Sequence, residues 1–520
     1  MSGRTVHRVG DRALLVACDG LAEVLGLHAA LTTAPLPGQL EVVPAAATVL
    51  VRTTDRDARD RLLPLLQHLS AGTARPPAGE VVTLDTVYDG EDLAAVAELT
   101  GRSTDAVVAA HGAQVWTAAF GGFAPGFAYL VGEHDGPEVP RRPTPRTAVP
   151  PGAVGLAGPF SAVYPRSSPG GWQLIGRTAA ALWDLERDPP ALLRPGTRVR
   201  FRAVRELVVG GGTDDAADRP APDTADGGRA LVVVVAGGAQ SLVQDLGRPG
   251  LLGLGVSPSG AADRGSARQA NRLVGNDRGA AVVETVLGGL ELRAVGPHVL
   301  AVTGAPVPLT VLRDGEQVST PPAHTPFLLP DGHVLRLGPP TVGLRSYVAV
   351  RGGLAVPPVL GSRSTDVLSS IGPAPLTAGT VLPVGPAPAA AVGRPEPARV
   401  DPDRSGPDRV DVVLGPRADW LAPGSRDRLL SQEWTVSARS NRVGVRLDGP
   451  PLEHAREVEL PSEGTVAGAV QVPADGRPVV FLADHPVTGG YPVVAVVREA
   501  SLDLVAQLRP GDRLRFRPVG

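Results

Sequence analysis

The chain has 520 residues, 43% of them hydrophobic, with 64 glycines, 54 prolines and a formal net charge of −3. This length predicts about three or four domains with packed cores, and the Gly/Pro content favours short strands and turns over long helices. The near-neutral balance and the lack of a basic block remove the electrostatic footing for nucleic-acid binding. No run reaches the roughly 18 apolar residues of a membrane span, and the N-terminus lacks an apolar signal core, so a soluble cytoplasmic protein is expected. The single cysteine, Cys18, excludes an internal disulfide and a CxxC site. All 50 basic residues are arginine. The chain therefore has no lysine for a Walker A loop, a pyridoxal Schiff base or a biotin attachment.

Residues 1–80 mix strand-like runs (13–17, 47–53) with a helical one (57–69). They predict a small α/β domain, ended by a Pro/Ala/Gly-rich stretch at 71–79. Residues 81–207 read as a β-rich unit carrying a helix over 90–100 and a shorter one over 103–111, with Ser103 as N-cap. Residues 208–229 are polar, rich in Gly, Pro and Asp, and predict an interdomain linker. A third unit, 230–384, opens on the strand-like run 231–236 and carries a helix over 264–274. The Pro/Ala-rich stretch 385–408 reads as a second linker, and 409–520 as the last unit.

Two of these units share an ordered set of landmarks. Gly152-Ala153-Val154, Gly170-Gly171-Trp172 and Arg194-Pro195-Gly196-x-Arg198-x-Arg200-Phe201 recur as Gly468-Ala469-Val470, Gly489-Gly490-Tyr491 and Arg509-Pro510-Gly511-x-Arg513-x-Arg515-Phe516. Pro fixes φ and Gly supplies the permissive turn position, and the alternating residues that follow have strand period. So long a repeat is a domain duplication rather than a solenoid.

Several motifs could carry chemistry. In Gly121-Gly122-Phe123-Ala124-Pro125-Gly126-Phe127-Ala128-Tyr129-Leu130, three aromatics sit on a turn of a chain that is only 3% aromatic. They could line a pocket, but composition favours a barrel core. The Pro-stiffened arginines Arg141, Arg142 and Arg146 suit carboxylate or phosphate recognition, or form a solvated loop. In the third unit, Asp245, Arg248, Ser259–Asp263, Asn271, Asn276 and the 361–366 turn with Arg363 cluster polar groups around glycine turns. Glu284 lies in an apolar strand, where an acid points outward or is buried for a reason. Ser440, Asn441, Arg442, Glu463, Gln471, Asp484 and His485 lie near the second set of landmarks. No HExxH, HxH or GxSxG spacing occurs, so a zinc site or an elbow serine is not expected.

On these residues the first half resembles the family of the 5-oxoprolinase B subunit, also known as allophanate hydrolase subunit 1 and as a sporulation-kinase inhibitor. Tyr88-Asp89-Gly90, Asp92, His111, the GGFAPGFAYL turn and Ser168–Arg177 carry that likeness. The second half resembles the 5-oxoprolinase C subunit, of the biotin-dependent carboxyltransferase-like family, through 243–250, 259–263, Asn271, Asn276, Glu284, 361–366 and 489–492. Where that family often reads Asp-Arg-x-Thr-Gly-Gly-Tyr, this chain has Asp484-His485-Pro486-Val487-Thr488-Gly489-Gly490-Tyr491. The chain thus resembles a natural B–C fusion joined at 208–229.

The resemblance implies a mainly β architecture with α+β parts: duplicated cyclophilin-like β-barrels, one each over 81–207, 230–384 and 409–520, plus the small N-terminal α/β domain. It implies an ATP-dependent hydrolysis of 5-oxoproline to glutamate, with ATP and Mg²⁺ bound in a complex with a LamB/YcsF-type A subunit. A homo-oligomer stays open. A carboxyltransferase acting on urea or a related amide, and an inhibitor of a sensor histidine kinase, are the alternative functions. By carry-over, Asn271, Asp484 and Tyr491 are the candidate catalytic residues. Phe123, Phe127, Tyr129, Arg146, Trp172, Arg248 and Arg363 are candidates for binding substrate.

Overall fold

The computed structural model describes residues 4–71, 81–134, 136–144, 146–207, 231–401 and 406–520. The linker expected at 208–229 and the boundary expected at 71–79, apart from Ala71, lie outside these residues. The N-terminal domain runs β1 (Val6–Val9), β2 (Ala13–Ala17), α1 (Leu21–Thr33), β3 (Gln39–Pro44), β4 (Thr48–Thr53) and α2 (Arg56–His68), with sheet order β1-β2-β4-β3. The apolar run of β2 follows from burial on both faces. Leu14 and Val16 pack on the helices through Leu27, Leu31, Leu62 and Leu66. Ala13 and Leu15 pack, with Leu50, on Phe481, Val493 and Val496 from the far end of the chain.

The next unit is a closed barrel. It contains β5 (Val81–Val87), α3 (Leu93–Thr100), α4 (Thr104–Ala113), β6 (Trp116–Gly122), β7 (Ala124–Gly132), β8 (Arg146–Val149), β9 (Ala153–Ala157), β10 (Phe160–Val163), β11 (Ser168–Gly170), β12 (Gln173–Thr178) and β13 (Arg198–Ala203). The barrel order is β10-β7-β6-β13-β5-β12-β9, with β8 and β11 paired outside it. Helix α4 starts where the sequence predicts, its Ser103 hydroxyl accepting from the Ala106 amide at 3.2 Å.

Residues 231–384 form β14 (Leu231–Gly237), β15 (Gln240–Gln244), α5 (Arg264–Leu273), β16 (Val282–Val286), β17 (Leu290–Val295), β18 (His298–Gly304), β19 (Leu309–Arg313), β20 (Glu316–Ser319), β21 (Phe327–Leu329), β22 (Val334–Leu337), β23 (Arg345–Val350) and β24 (Val381–Pro383). The barrel expected here is instead two open sheets, β20-β19-β22-β17-β14-β24 and β15-β16-β23-β18-β21. One apolar core, including Val234, Leu292, Val302 and Val348, lies between them. Alternation along a strand records which face is buried. It does not record whether the edges close by hydrogen bonding or the sheets stack. The stretch expected as a second linker is strapped to this unit over its described part. Gly393 and Glu396 amides donate to Leu273 and His324 carbonyls at 2.8 and 3.0 Å, and Glu396 pairs with Arg272.

The last unit is a second closed barrel: β25 (Asp408–Leu414), α6 (Pro423–Ser431), β26 (Trp434–Val436), β27 (Gly444–Asp448), β28 (Glu463–Gly464), β29 (Ala469–Gln471), β30 (Val479–Phe481), β31 (Thr488–Gly489), β32 (Val493–Val497), α7 (Glu499–Ala506) and β33 (Arg513–Pro518). Its order, β25-β32-β29-β30-β27-β26-β33, is that of the first barrel strand for strand, down to the parallel pairs β13–β5 and β33–β25. Val199 and Phe201 of β13, like Leu514 and Phe516 of β33, point inward between exposed or half-buried arginines. Each preceding turn uses its glycine at φ 91, Gly196 and Gly511. Trp116 and Trp434 both open a strand and donate their indole N–H to a carbonyl five residues back, at 3.0 and 3.1 Å. No helix among the described residues is long and apolar enough to cross a membrane.

Candidate functional site

A cavity of about 240 Å³ opens where three units meet. The β1–β2 turn brings Asp11 and Arg12, and β4 brings Arg52. The loop before α5 brings Ser259, and α5 itself brings Arg264 and Arg268. The second barrel contributes Thr465, His485, and Glu499 and Asp503 of α7. The cavity exists only because the two halves are docked. Asp11 pairs with Arg498 at 3.0 Å and accepts the Glu499 amide at 2.9 Å, and Arg12 pairs with Glu499 at 2.8 Å. On the third unit's side, Glu41 accepts the Gly250 amide at 2.7 Å.

Its charged lining is mixed: Arg12, Arg52, Arg264 and Arg268 face Asp11, Glu499 and Asp503. Arg12 is held by Glu499, and Arg52 by Glu41 at 2.5 Å. Arg264 and Arg268 form no ion pair among the described residues. The Arg264 guanidinium donates to the Ser259 carbonyl, at 3.3 Å. Burial, reinforced by the neighbouring Arg268 and Arg52 charges and opposed by Glu499 and Asp503, lowers the Arg264 pKa. Helix α5 is set by its N-cap. Asp263 accepts the Ser266 amide at 2.8 Å and the Gln507 side chain at 2.7 Å, and burial beside Asp503 pushes its carboxyl up to about 6. His485 is buried against Phe481, and burial lowers its pKa to about 4. Its Nδ1 donates to the Pro486 carbonyl at 2.8 Å, so Nε2 is the ring's acceptor.

Behind the cavity wall lies a buried ion cluster. Arg442 makes a bidentate pair with Asp484, both contacts 2.9 Å, donates to the Gly260 carbonyl at 2.6 Å, and also pairs with Glu284. Glu284 accepts in addition from the Tyr347 hydroxyl at 2.8 Å and the Ala262 amide at 2.9 Å. Burial opposes its ionisation, but the Arg442 and Arg345 charges outweigh burial and hold its carboxyl below the usual range.

The residues expected to be catalytic do not gather at this cavity. Asp484 borders it, between the lining residues Ala483 and His485. Both its oxygens are taken, by Arg442, by the Ser259 hydroxyl at 2.7 Å and by the Val367 amide at 3.0 Å. Asn271 faces the interior of the third unit, bonded to the Ala280 carbonyl at 2.7 Å and to Asn276 at 3.1 Å. Tyr491 is 51% exposed, whereas Trp172, its counterpart in the repeat, is 5% exposed. Neither Asn271 nor Tyr491 lines the cavity.

Of the residues expected to bind substrate, Phe127, Tyr129 and Trp172 form an aromatic core on the outer face of the first barrel, with ring centroids 5.2–5.6 Å apart, against Leu21, Leu25 and Ala46 of the N-terminal domain. Phe123 sits at that core's edge at φ 61, its amide donating to Thr488 of the second barrel at 3.2 Å. Arg146 is engaged by Glu91 and Asp92, both at 2.9 Å. Arg363 donates to the Val356 carbonyl at 2.7 Å, and Arg248 is buried with its Nη2 on the Ser364 carbonyl. Sequence reasoning passed over Arg264, Arg268 and the β1–β2 tip. The available signal was an Arg pair four residues apart, directly after the 259–263 motif at a helix start. Nothing local marks the tip, whose partners lie almost 490 residues away.

Comparison with known proteins accounts for this layout. Subdomains C and D of the carboxyltransferase domain match residues 4–193, and subdomains A and B match residues 254–518. The C subunit of 5-oxoprolinase from Escherichia coli K12 is 36% identical over 291 residues, which is 55% of this chain and 90% of that protein. The B subunit of 5-oxoprolinase from Escherichia coli O157:H7 is 40% identical over 178 residues, 33% of this chain and 82% of that protein. Urea amidolyase of Saccharomyces cerevisiae is 36% identical over 303 residues, 54% of this chain but 16% of that protein. The crystal structure of TTHA0988 superposes with a TM-score of 0.83 at 37% identity, covering 98% of this chain and 100% of that one. The chain belongs to the carboxyltransferase-domain family, and it joins in one polypeptide a part similar to the B subunit and a part similar to the C subunit of 5-oxoprolinase.

Proposed function

We propose that this chain is the fused B–C component of an ATP-dependent 5-oxoprolinase that opens 5-oxoproline to glutamate with a separate LamB/YcsF-type A subunit. The observation that carries the reading is Arg264, which lines the cavity beside the exposed Arg268 and closes no ion pair among the described residues, although Glu499 and Asp503 lie near enough to act on it. A small monocarboxylate finds charge-assisted donors there. Urea is neutral and offers the guanidiniums only a carbonyl oxygen, a weaker partner than a carboxylate, so we favour 5-oxoproline over the urea carboxyltransferase reading. Its volume, about 240 Å³, is below that of drug-sized sites and suits a five-membered lactam. ATP and Mg²⁺ then occupy another surface of the complex, where ATP supplies the driving force for opening an unstrained amide.

In this reading Arg264 anchors the substrate carboxylate and Arg268 adds to the field. His485, kept neutral, offers Nε2 as a proton acceptor at neutral pH. Asp484 acts through Arg442 and Ser259 by holding the wall in place.

The test is reconstitution. The purified chain should release no glutamate from 5-oxoproline alone. With a LamB/YcsF-type protein and MgATP it should release glutamate and ADP together. Arg264→Gln should raise KM for 5-oxoproline at least about tenfold, the worth of one charge-assisted contact. Turnover by the lone chain would sink the three-component reading. An inactive mixture that instead carboxylates urea with biotin carrier and biotin carboxylase partners would sink the oxoprolinase one.

A further inference from the structure

Three carboxylates line the cavity, and each is taken by an arginine other than Arg264. Asp11 pairs with Arg498 at 3.0 Å, Glu499 with Arg12 at 2.8 Å, and Asp503 with Arg399 at 3.1 Å. Arg12 and Arg498 belong to the contact that docks the β1–β2 turn on α7. Arg399 does not, and it does not line the cavity. It comes from the stretch 385–401, which the sequence predicts as a linker and the structure straps across α5.

The local backbone sets the Arg399–Asp503 pair in place. Ahead of Arg399 the Glu396 amide donates to the His324 carbonyl at 3.0 Å, and Gln269 of α5 donates to the Pro397 carbonyl at 2.9 Å. Behind it Val400 is buried. Anchored on both sides, Arg399 arrives over the first turn of α5. Gly265 leaves the room for it there: a Cβ at this position would collide with Asp503 Oδ2 and with Arg399 Nε and Nη2. The Gly265 amide, one of the free N–H groups of a helix start, donates to the same Asp503 oxygen at 3.2 Å. Asp503 is thus held by a guanidinium of the strap and by a helix N-terminus, both of which favour a carboxylate.

The competing partner stands beside it. Asp503 lies near enough to Arg264 to act on its charge, yet closes no ion pair with it among the described residues. One carboxylate faces two guanidiniums, and Arg399 has it. Without Arg399 the Asp503 side chain would turn to Arg264, and an anion entering the cavity would have to displace it. We propose that Arg399 is a positioning residue for the cavity: by holding Asp503 on the first turn of α5 it keeps the Arg264 guanidinium open to the carboxylate of an incoming small anion. Arg399 touches no ligand and acts through Asp503. The strap between the third unit and the second barrel is then part of the site and sets its affinity for anions. That Arg264 receives a substrate carboxylate rests on the function proposed above.

Binding of 5-oxoproline to the full chain is measured by calorimetry for the parent, Arg264→Gln, Arg399→Gln, Arg399→Lys, Asp503→Asn and the double variant Arg399→Gln/Asp503→Asn. Arg399 is half exposed, so its variants should melt within a few degrees of the parent. Arg399→Gln should weaken binding at least about fivefold and raise the KM of the reconstituted enzyme by the same factor, with kcat unchanged. Arg399→Lys, which keeps the charge, should recover part of the loss. Adding Asp503→Asn to Arg399→Gln removes the competing charge and should bring binding back to within about twofold of Asp503→Asn alone, a rescue that a merely structural role of Arg399 would not allow. Independently of any ligand, a double-mutant cycle of Arg264→Gln and Asp503→Asn is followed by urea unfolding. The coupling between the two should grow by at least about fivefold in the unfolding constant when residue 399 is changed to Gln. Parental affinity in Arg399→Gln, no rescue by Asp503→Asn, or a coupling that does not grow overturns the role of Arg399. If Arg264→Gln still abolishes 5-oxoproline binding in that case, the proposed function stands without it. If the parent binds no 5-oxoproline while the coupling grows as expected, the tether stands and the carboxylate reading of the cavity falls.

Discussion

Arg442→Met should be the most destabilising single change in the second half. Arg442 is 1% exposed and compensates Asp484 and Glu284, which are 0 and 1% exposed. Met fills a similar volume but leaves two carboxylates buried with one counter-charge fewer. Breaking a buried pair from one side typically costs about 3–5 kcal/mol, mostly the penalty of the stranded charge. The pH dependence makes the cause visible. In the parent, Glu284 has a depressed pKa, so its stabilisation is present above the unfolded value near 4.5 and is lost as pH falls through the folded one. Without Arg442, burial dominates and the Glu284 pKa rises. The variant should therefore gain on the parent as pH is lowered from 7 towards 5, because protonation removes the stranded charge. Urea unfolding followed by tryptophan fluorescence at pH 5, 6 and 7 measures both effects, and Arg442→Lys, which keeps charge without the fork, should fall between. A loss below about 1 kcal/mol at pH 7, or a gap to the parent that does not shrink at pH 5, would refute the reasoning.

Phe127→Ala should cost about 3–5 kcal/mol by opening a cavity in the aromatic core between the first barrel and the N-terminal domain. Tyr491→Phe should change stability by under about 0.5 kcal/mol because the ring is half in solvent. Thermal melts of the two separate core from surface, and a reconstituted Tyr491→Phe enzyme turning over at the parental rate removes that hydroxyl from catalysis. His485 binds its proton more weakly folded, near 4, than unfolded, near 6.5. Its neutral form thus contributes stability above pH 6.5 that is lost on acidification towards 4, at up to about 1.4 kcal/mol per pH unit. His485→Gln should flatten that slope in denaturant titrations, and an unchanged slope would mean that the imidazole is already solvated. Finally, a protease site placed within 208–229 and cleaved should leave two fragments that co-elute on size exclusion, held by the Asp11–Arg498 and Arg12–Glu499 pairs and the shared core around Leu15, Leu50 and Phe481. Separation at moderate salt would mean that the junction depends on the covalent link.

The duplication was legible because its landmarks are backbone requirements. A turn glycine at φ 91 and an inward Phe two residues into the alternation leave a signature in residue type wherever the fold is repeated. The helices at 57–69, 103–111 and 264–274 were legible for the same reason, since Asp55, Ser103 and Asp263 cap them through their own side chains. The candidate cavity was not legible. Its walls come from residues 9–13, 52, 252–268 and 465–503, and no local pattern encodes that the β1–β2 tip reaches α7. The aromatic turn was half legible. Composition favours a core over a pocket, and the packing of Phe127 against Tyr164 and Trp172 forms one, but no local pattern places it on the barrel's outer face against the N-terminal domain.

The two barrels also differ where their shared register makes the comparison direct. Arg146 of β8 stands opposite Gly170, and Glu463 of β28 stands opposite Gly489, the same place in the two small outer sheets. Each is paired with a residue that follows the barrel's first strand, Asp92 in one case and Arg417 in the other. The ion pair survives the duplication with its charges exchanged. A stabilising contact needs only opposite signs, so the exchange is neutral for folding. It is not neutral for ligands, because the strand beside the glycine pair now carries a cation in one barrel and an anion in the other. The frame was copied and the electrostatics were not. For that reason the roles of Trp172 and Tyr491 cannot be transferred between barrels on sequence equivalence, and their burial, 5% against 51%, already separates them.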